Sequence, residues 1–204
     1  MSEPKDKRKF ALWIRDETME KVEKLYRAEN VKSRSEFIEK AINFYCGYLK
    51  DGENYNPEFA VKLFTEAANG GITVAKYKLG KMFLNGDGVE KDNPKAVEWL
   101  KQSAAEENEF AEYALGRLYL KGEEIEKDIV AAEEYLLKAV SRGNKYAAYL
   151  LGKEYLSGKN FGKDILKAVE YLKLAAEKDF EPAEYVLGKL YLRGEEVGKD
   201  AANA

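Results

Sequence analysis

The sequence contains no histidine and a single cysteine, Cys46. Histidine is the commonest general base and metal ligand near neutral pH, and cysteine is the other frequent zinc ligand. A zinc site, a Cys–His dyad and a Ser–His–Asp triad are therefore excluded. Because no nucleotide-binding glycine loop is present either, we expect a protein that is not an enzyme and holds neither metal nor cofactor.

Long apolar stretches are also missing from the chain. No run approaches the roughly 20 apolar residues that a membrane-spanning helix needs, and the N-terminal MSEPKDKRKF lacks the apolar core of a signal peptide. A lone cysteine provides no disulfide framework, which indicates a reducing compartment. We therefore expect a cytoplasmic protein with no membrane partner.

Charge is abundant and unevenly distributed. Residues 1–50 hold 12 Lys and Arg against 9 Asp and Glu, a net charge of +3, so the remaining 22 Lys and Arg against 28 Asp and Glu give −6. A basic head on an acidic body is compatible with nucleic-acid binding by the head.

A pattern with a period of 36 residues runs through the second part of the chain. Each period contains an alanine, a Leu-Gly pair, a second glycine and an aspartate. These markers are Ala75, Ala111, Ala147 and Ala183; Leu79-Gly80, Leu115-Gly116, Leu151-Gly152 and Leu187-Gly188; Gly86, Gly122, Gly158 and Gly194; and Asp92, Asp128, Asp164 and Asp200. Repeats of this length are typical of solenoids.

Each period predicts two helices. The first, as in AEYALGRLYLKG from Ala111, has a small residue pair that permits close helix contact and offsets the ~1 kcal/mol that glycine costs inside a helix. The second glycine is predicted to be a left-handed C-cap, and the aspartate an N-cap of the second helix. A single helix pair cannot bury its apolar face, whereas stacked pairs share a core.

The pattern A-x-Y-x-L-G-x-x-Y/F-x-x-G followed by K-D-x-x-K-A-x-E-W/Y-L-x-x-A-A resembles the Sel-one-like repeat over about residues 57–200. This family forms α/α solenoids related to tetratricopeptide repeats, and the resemblance implies a non-catalytic scaffold for protein interactions. NPEFAVKLFTEAANGG at 56–71 aligns in phase with the later second helices. Its own first helix is therefore expected at about 37–49.

The N-terminal segment has a different pattern. Alternation in KFALWIR at 9–15 predicts a strand, followed by helices from about Asp16 to Glu29 and from about Ser33. This arrangement, with SRSEFI opening the second helix, resembles the ribbon-helix-helix family of Arc-, MetJ- and CopG-like repressors over residues 8–45. The resemblance implies a homodimer in which the strand pairs with its copy through Phe10, Leu12 and Ile14.

The resemblance also implies duplex DNA as a partner, with one face of the ribbon in the major groove and the start of the second helix on a backbone phosphate. The residues implied are Lys9, Ala11, Trp13, Ser33, Arg34 and Ser35. Alanine can contact only a thymine methyl group, and tryptophan is not a usual reader of base edges. DNA contact and a ribbon that only dimerises both remain open.

Two sets of positions on the first helices are candidates for a protein-partner groove. One is the cation after each helical glycine, and the other is a position whose residue differs between repeats. They are Lys81, Arg117, Lys153 and Lys189, and Lys78, Ala114, Leu150 and Val186. The alternative for the cations is an ordinary solvated helix face.

The sequence thus predicts a mostly α-helical chain: a ribbon-helix-helix domain at 1–49, whose second helix is shared with the first repeat, and a solenoid at 50–204. The function expected is that of a dimeric DNA-binding transcriptional regulator or adaptor whose solenoid arms bind an unidentified protein. The alternative is a non-catalytic interaction scaffold that uses its head only for dimerisation.

Overall fold

The computed structural model describes residues 57–193, and this part of the chain consists of helices joined by short loops, without a β-strand. The helices are α1 Pro57–Asn69, α2 Thr73–Asn85, α3 Asn93–Ala105, α4 Glu109–Lys121, α5 Ile129–Ser141, α6 Lys145–Ser157, α7 Ile165–Ala176 and α8 Glu181–Arg193. Each helix packs chiefly against the helices before and after it, as in an α/α solenoid. The predicted strand, the residues predicted to contact DNA and the predicted dimer interface all lie outside the described residues.

The helix ends confirm the caps predicted within residues 57–193, whereas Gly194 and Asp200 lie outside the described residues. Asp92, Asp128 and Asp164 each accept a hydrogen bond from the backbone N–H three residues later, at the start of α3, α5 and α7. α4 ends at Gly122, whose φ of 69° lies in the left-handed region that favours glycine. Asn108 caps α4 in the same way as the aspartates. The sequence analysis did not predict this cap.

The core is a continuous series of small clusters between neighbouring helices. Leu115 and Leu136 are fully buried, and the leucines one period before and after them are buried in the same way. Alanines such as Ala132 and Ala147 fill the space between helix backbones. Each unit therefore shares its apolar face with its neighbours, as the 36-residue period predicts.

The helical glycines lie where a second helix comes closest. A Cβ atom placed on Gly116 would lie 2.6 Å from Cγ of Leu136, and Gly80 and Gly152 have the equivalent contacts with the next helix. The predicted close approach is confirmed at these three glycines. At Gly188 no described atom lies within 4 Å of the corresponding position.

In two units an ion pair joins the first helix to the end of the second helix, and the two pairs have opposite polarity. We call each of these contacts a junction. Lys76 of α2 pairs with Glu106, which also accepts a hydrogen bond of 2.6 Å from Thr73 Oγ1. One period later, Glu112 of α4 accepts a hydrogen bond of 3.1 Å from Nε of Arg142. The two pairs occupy equivalent positions with acid and base exchanged.

The helices of the described part of the chain have 12 or 13 residues, whereas a membrane-spanning helix needs about 20. None of those between residues 57 and 193 is both long enough and apolar enough to cross a bilayer.

Candidate partner-binding surface

The first helices of the units, α2, α4, α6 and α8, each expose one cation on a common side. These cations are Lys81, Arg117, Lys153 and Lys189, and all four are exposed. Within residues 57–193 none of them forms an ion pair or a hydrogen bond. We call this set the cation line.

Three members of the cation line lie over a tyrosine ring one helical turn earlier. The guanidinium carbon of Arg117 is 5.6 Å from the ring centroid of Tyr113. Lys153 lies 5.6 Å from the Tyr149 ring, and Lys189 lies 4.6 Å from the Tyr185 ring. Such contacts contribute about 0.5–1 kcal/mol at exposed sites. The rings therefore favour a defined position for each cation beside its helix.

Aromatic contacts connect the first helices of successive units. The ring centroids of Tyr77 and Phe110 are 6.0 Å apart, and those of Tyr113 and Tyr146 are also 6.0 Å apart. Phe110 is 43% exposed and Tyr146 is 42% exposed, so both rings are accessible from solvent as well as from their neighbours. The first helices are thus lateral neighbours, and their cations follow one another across the units.

The charge of Arg117 acts on two units. Burial raises the pKa of Tyr77, the neighbouring Tyr113 raises it further, and Arg117 opposes both. Arg117 therefore lies close enough to influence the tyrosine of the preceding unit as well as the ring of its own.

The exposed charges on α2, α4 and α6 all have one sign. Besides the cation line they include Lys121, and no exposed acid lies on these three helices. Glu112 is buried in its ion pair, while Glu109 and Glu154 are only partly exposed. Burial raises the pKa of Glu109, with a further increase from Glu112. Residues 51–204 carry a net charge of −6 by composition. The exposed charge on this side of the helices is therefore opposite in sign to the net charge of that part of the chain.

The predicted partner-groove residues divide into two groups. The four cations are exposed, whereas Lys78, Ala114, Leu150 and Val186 are only partly exposed. The three apolar members of the second group pack against core clusters. The exposed aromatic residues Phe110 and Tyr146 were not predicted from the sequence. The signal for them was an aromatic residue directly before the marker alanine in two successive periods.

The remaining predicted sites are outside this surface. The residues implied in DNA contact, from Lys9 to Trp13 and from Ser33 to Ser35, lie outside the described residues. Among residues 57–193 no group of three or more acidic or sulfur side chains is arranged to hold a metal ion.

Two family models match the chain. The Sel1 repeat model matches residues 39–72, 73–108, 110–144, 145–180 and 182–204. The model described as ribbon-helix-helix protein, copG family, matches residues 14–48. This match contains Ser33, Arg34 and Ser35 but begins after Trp13. The two models overlap at residues 39–48.

Solved structures are similar to the chain over most of its length. A Sel1 repeat protein from Oxalobacter formigenes is 28% identical with a TM-score of 0.74, and the match covers 90% of this chain and 79% of that protein. The protein c5321, described as a protective antigen in uropathogenic Escherichia coli with an SLR fold, is 26% identical with a TM-score of 0.74. That match covers 91% of this chain and 38% of c5321. No curated protein matches the chain.

Proposed function

Because the chain belongs to the Sel1 repeat family, we propose that it is a non-catalytic, dimeric DNA-binding regulator or adaptor whose repeats bind a protein partner. The observation that carries this proposal is the presence of both matches on one chain, with the ribbon-helix-helix match at 14–48 running into the first repeat at 39–72. The head would bind DNA as a dimer in the cytoplasm, and the solenoid would connect it to another protein.

The overlap at residues 39–48 supports a shared helix between the two parts. If the second helix of the head is also the first helix of the first repeat, no linker separates domain 1–49 from domain 50–204. The two solenoid arms of a dimer would then have a fixed orientation relative to the DNA. Such an adaptor would present its partner at a defined place beside the operator.

The solenoid's contribution to this function is a binding surface. Its cation line has no ion-pairing partner within the described residues, and partly exposed aromatic rings lie beside it. Protein interfaces are enriched in aromatic residues and arginine. We therefore assign the protein partner to this side of α2, α4 and α6.

A second candidate function keeps the head for dimerisation alone. It is favoured by the start of the ribbon-helix-helix match at Ile14, which leaves Lys9, Ala11 and Trp13 outside the matched range. Ala11 and Trp13 are also unusual residues for reading base edges. In this alternative the protein is an interaction scaffold without DNA binding.

Binding of the full chain to a pool of random duplex DNA across a salt series distinguishes the two functions. For the regulator we expect salt-dependent binding, and Arg34→Ala should weaken it and reduce the salt slope by about one. Lys9→Ala should have a similar effect. If its loss of affinity differs between DNA sequences, the ribbon contacts bases. Lys101→Ala, which removes an exposed cation from α3, is the control and should leave the affinity unchanged.

Either negative result has a clear meaning. If the full chain does not bind duplex DNA even at low salt, the regulator is excluded and the scaffold stands. If it binds DNA but Arg34→Ala and Lys9→Ala bind as tightly as the natural sequence, the proposed orientation of the head on DNA is wrong.

A further inference from the structure

We propose that one face of α8 binds an amphipathic helix of a partner protein, in the way that α5 packs on α4 within a unit. The residues of this face are Glu184, Gly188 and Leu192, which lie four residues apart and therefore on one side of the helix. We call them the α8 face. This contact is separate from the cation line and from the head, so it goes beyond the proposed function.

The α8 face is exposed, although the equivalent face of α4 is covered. In α4, two periods earlier, Glu112 and Leu120 are buried. In α8, by contrast, Glu184 and Leu192 are both exposed, and no described atom lies within 4 Å of a Cβ atom placed on Gly188. The same positions that form a contact between helices in α4 are therefore accessible in α8.

The contacts of α5 with α4 define the helix that fits such a face. Cγ of Leu136 lies 2.6 Å from the Cβ position of Gly116, and the backbone oxygen of Ala132 lies 3.2 Å from it. At the end of α5, Arg142 donates a hydrogen bond of 3.1 Å from its Nε to Glu112. The matching helix therefore has an alanine, a leucine four residues later for the glycine recess, and a basic residue six residues after the leucine.

The basic residue is required by the charge of Glu184. At this position α2 has Lys76, whose partner is the acidic Glu106. α4 has Glu112 instead, and its partner is the basic Arg142. Glu184 has the sign of Glu112 and forms no ion pair among residues 57–193. A bound helix with arginine or lysine at this point is electrostatically complementary, whereas one with an acid is repelled.

A second copy of the chain fits the α8 face less well. Two α8 helices in antiparallel contact around Gly188 place glycine against glycine, so no leucine fills the recess, and Glu184 lies beside the apolar Leu192. The described second helices already pack on first helices of their own chain. In residues 1–56 and 194–204 no alanine is followed four residues later by a leucine. Within these 204 residues the matching helix is thus not free, and we assign the α8 face to another protein.

The probe for this surface is a labelled synthetic peptide with the α5 sequence, residues 127–143, because it carries all three required residues. Fluorescence anisotropy with the full chain should show saturable binding. A peptide with Leu136→Ala should bind about tenfold more weakly, because less apolar surface enters the recess. A peptide with Arg142→Glu should also lose about tenfold in affinity, because its carboxylate meets Glu184.

Variants of the full chain locate the binding site. Glu184→Lys should weaken the natural peptide by about tenfold and restore binding of the Arg142→Glu peptide. Gly188→Leu fills the recess and should also weaken the natural peptide by about tenfold. The controls are Glu170→Lys, which changes an exposed acid of α7, and Gly162→Leu, which changes a loop glycine without neighbouring described atoms. Both should leave the affinity unchanged. Circular dichroism verifies that all variants remain helical.

Several results would overturn the inference. If the full chain does not bind the α5 peptide, the α8 face is not a helix-binding surface. An equal loss in Glu184→Lys and Glu170→Lys would reduce the effect to net charge, and unchanged binding by Gly188→Leu would place the peptide elsewhere. Assemblies of the full chain that Gly188→Leu dissociates would make a second copy the occupant. Amide exchange in α8 should slow when the peptide binds, and unchanged exchange there would also contradict the proposal.

Discussion

At the residue scale, the glycine in the middle of α2, α4 and α6 provides space for a leucine. Gly116 lies in the interior of α4, where glycine costs about 1 kcal/mol relative to alanine. Leu136 of the next helix occupies the space where a Cβ atom would be, with its Cγ at 2.6 Å from that position. The close contact between the two helices of a unit therefore depends on the missing side chain.

Gly116→Ala and Gly188→Ala should have opposite effects on stability. Alanine at Gly116 forces Leu136 to move, which costs about 1–3 kcal/mol, and the gain in helix propensity recovers only part of this. At Gly188 no described atom opposes the methyl group, so the free energy of unfolding should rise by up to about 1 kcal/mol. Urea denaturation measures both. Equal stability of the two variants would contradict the packing role of Gly116.

Tyr155 should make stability depend on alkaline pH. Burial raises the pKa of Tyr155, and its hydrogen bond to Glu133 raises it further. The folded chain therefore keeps this proton to a higher pH than the unfolded chain, whose tyrosines titrate near pH 10. The stability from Tyr155 is fully present below about pH 10 and is lost as the pH rises above it.

The measurement is thermal unfolding between pH 8 and pH 12. Tyr155→Phe should reduce the decline in melting temperature above about pH 10 compared with the natural sequence. Tyr185→Phe, which changes a tyrosine that is 64% exposed, serves as the control. A decline that is as steep in Tyr155→Phe as in the natural sequence would show that other groups cause it.

At the element scale, the two exchanged ion pairs show that the junction between the two helices of a unit accepts either polarity. Lys76 is 9% exposed and Glu112 is 1% exposed, so each junction contains one buried charge and one more exposed partner. A buried charge that loses its partner is strongly destabilising, whereas the intact pair adds little net stability. These pairs therefore discriminate between correct and incorrect combinations of helices more than they strengthen the contact.

Exchanging the charges at the first junction tests this interpretation. Lys76→Glu alone places a carboxylate against Glu106 and should cost roughly 2–4 kcal/mol, less than a fully buried pair because Glu106 is partly exposed. Adding Glu106→Arg recreates the Glu112–Arg142 arrangement and should restore most of the loss. Chemical denaturation of the two single variants and the double variant gives the coupling energy. A double variant no more stable than Lys76→Glu would refute equivalence of the junctions.

Element positions could be predicted from the sequence because their signals are local. Aspartate and glycine caps recur every 36 residues. The first residues of α3, α5 and α7 therefore follow directly from the aspartates that precede them. The caps at Asn108 and Asn144 follow the same chemistry, but the repeated aspartates drew the assignment to the other helices. The cations of the candidate site could be predicted from the repeat, but its exposed aromatic rings could not. The exposure of a side chain depends on how successive units are rotated relative to one another.

At the scale of the whole molecule, each described helix is held chiefly by its neighbours in the sequence. We therefore expect stability to vary along the array. Each described helix packs chiefly on the two adjacent in sequence, as in other solenoids. In α8, Leu192 is 73% exposed, although Leu120, two periods earlier, is 7% exposed. Fewer apolar contacts therefore hold α8 in place than hold α4 or α6.

Amide hydrogen exchange should show this difference directly. We expect the amides of α8 to exchange at least about tenfold faster than those of α6, because more of the apolar surface of α8 is exposed. Exchange followed by mass spectrometry resolves the two segments in one experiment. Variants such as Leu151→Ala should accelerate exchange in α6 and its neighbours more than in α1. Uniform protection across the array would indicate cooperative unfolding of all units together.

The aromatic contacts between successive first helices have a consequence for how the exposed surface grows with the number of repeats. Each unit adds one helix to the row and one cation to the line, without altering the units already present. The exposed positive surface therefore grows in proportion to the number of repeats, by one cation for every 36 residues of the chain. Duplication or loss of one unit would lengthen or shorten this surface by one helix and one cation.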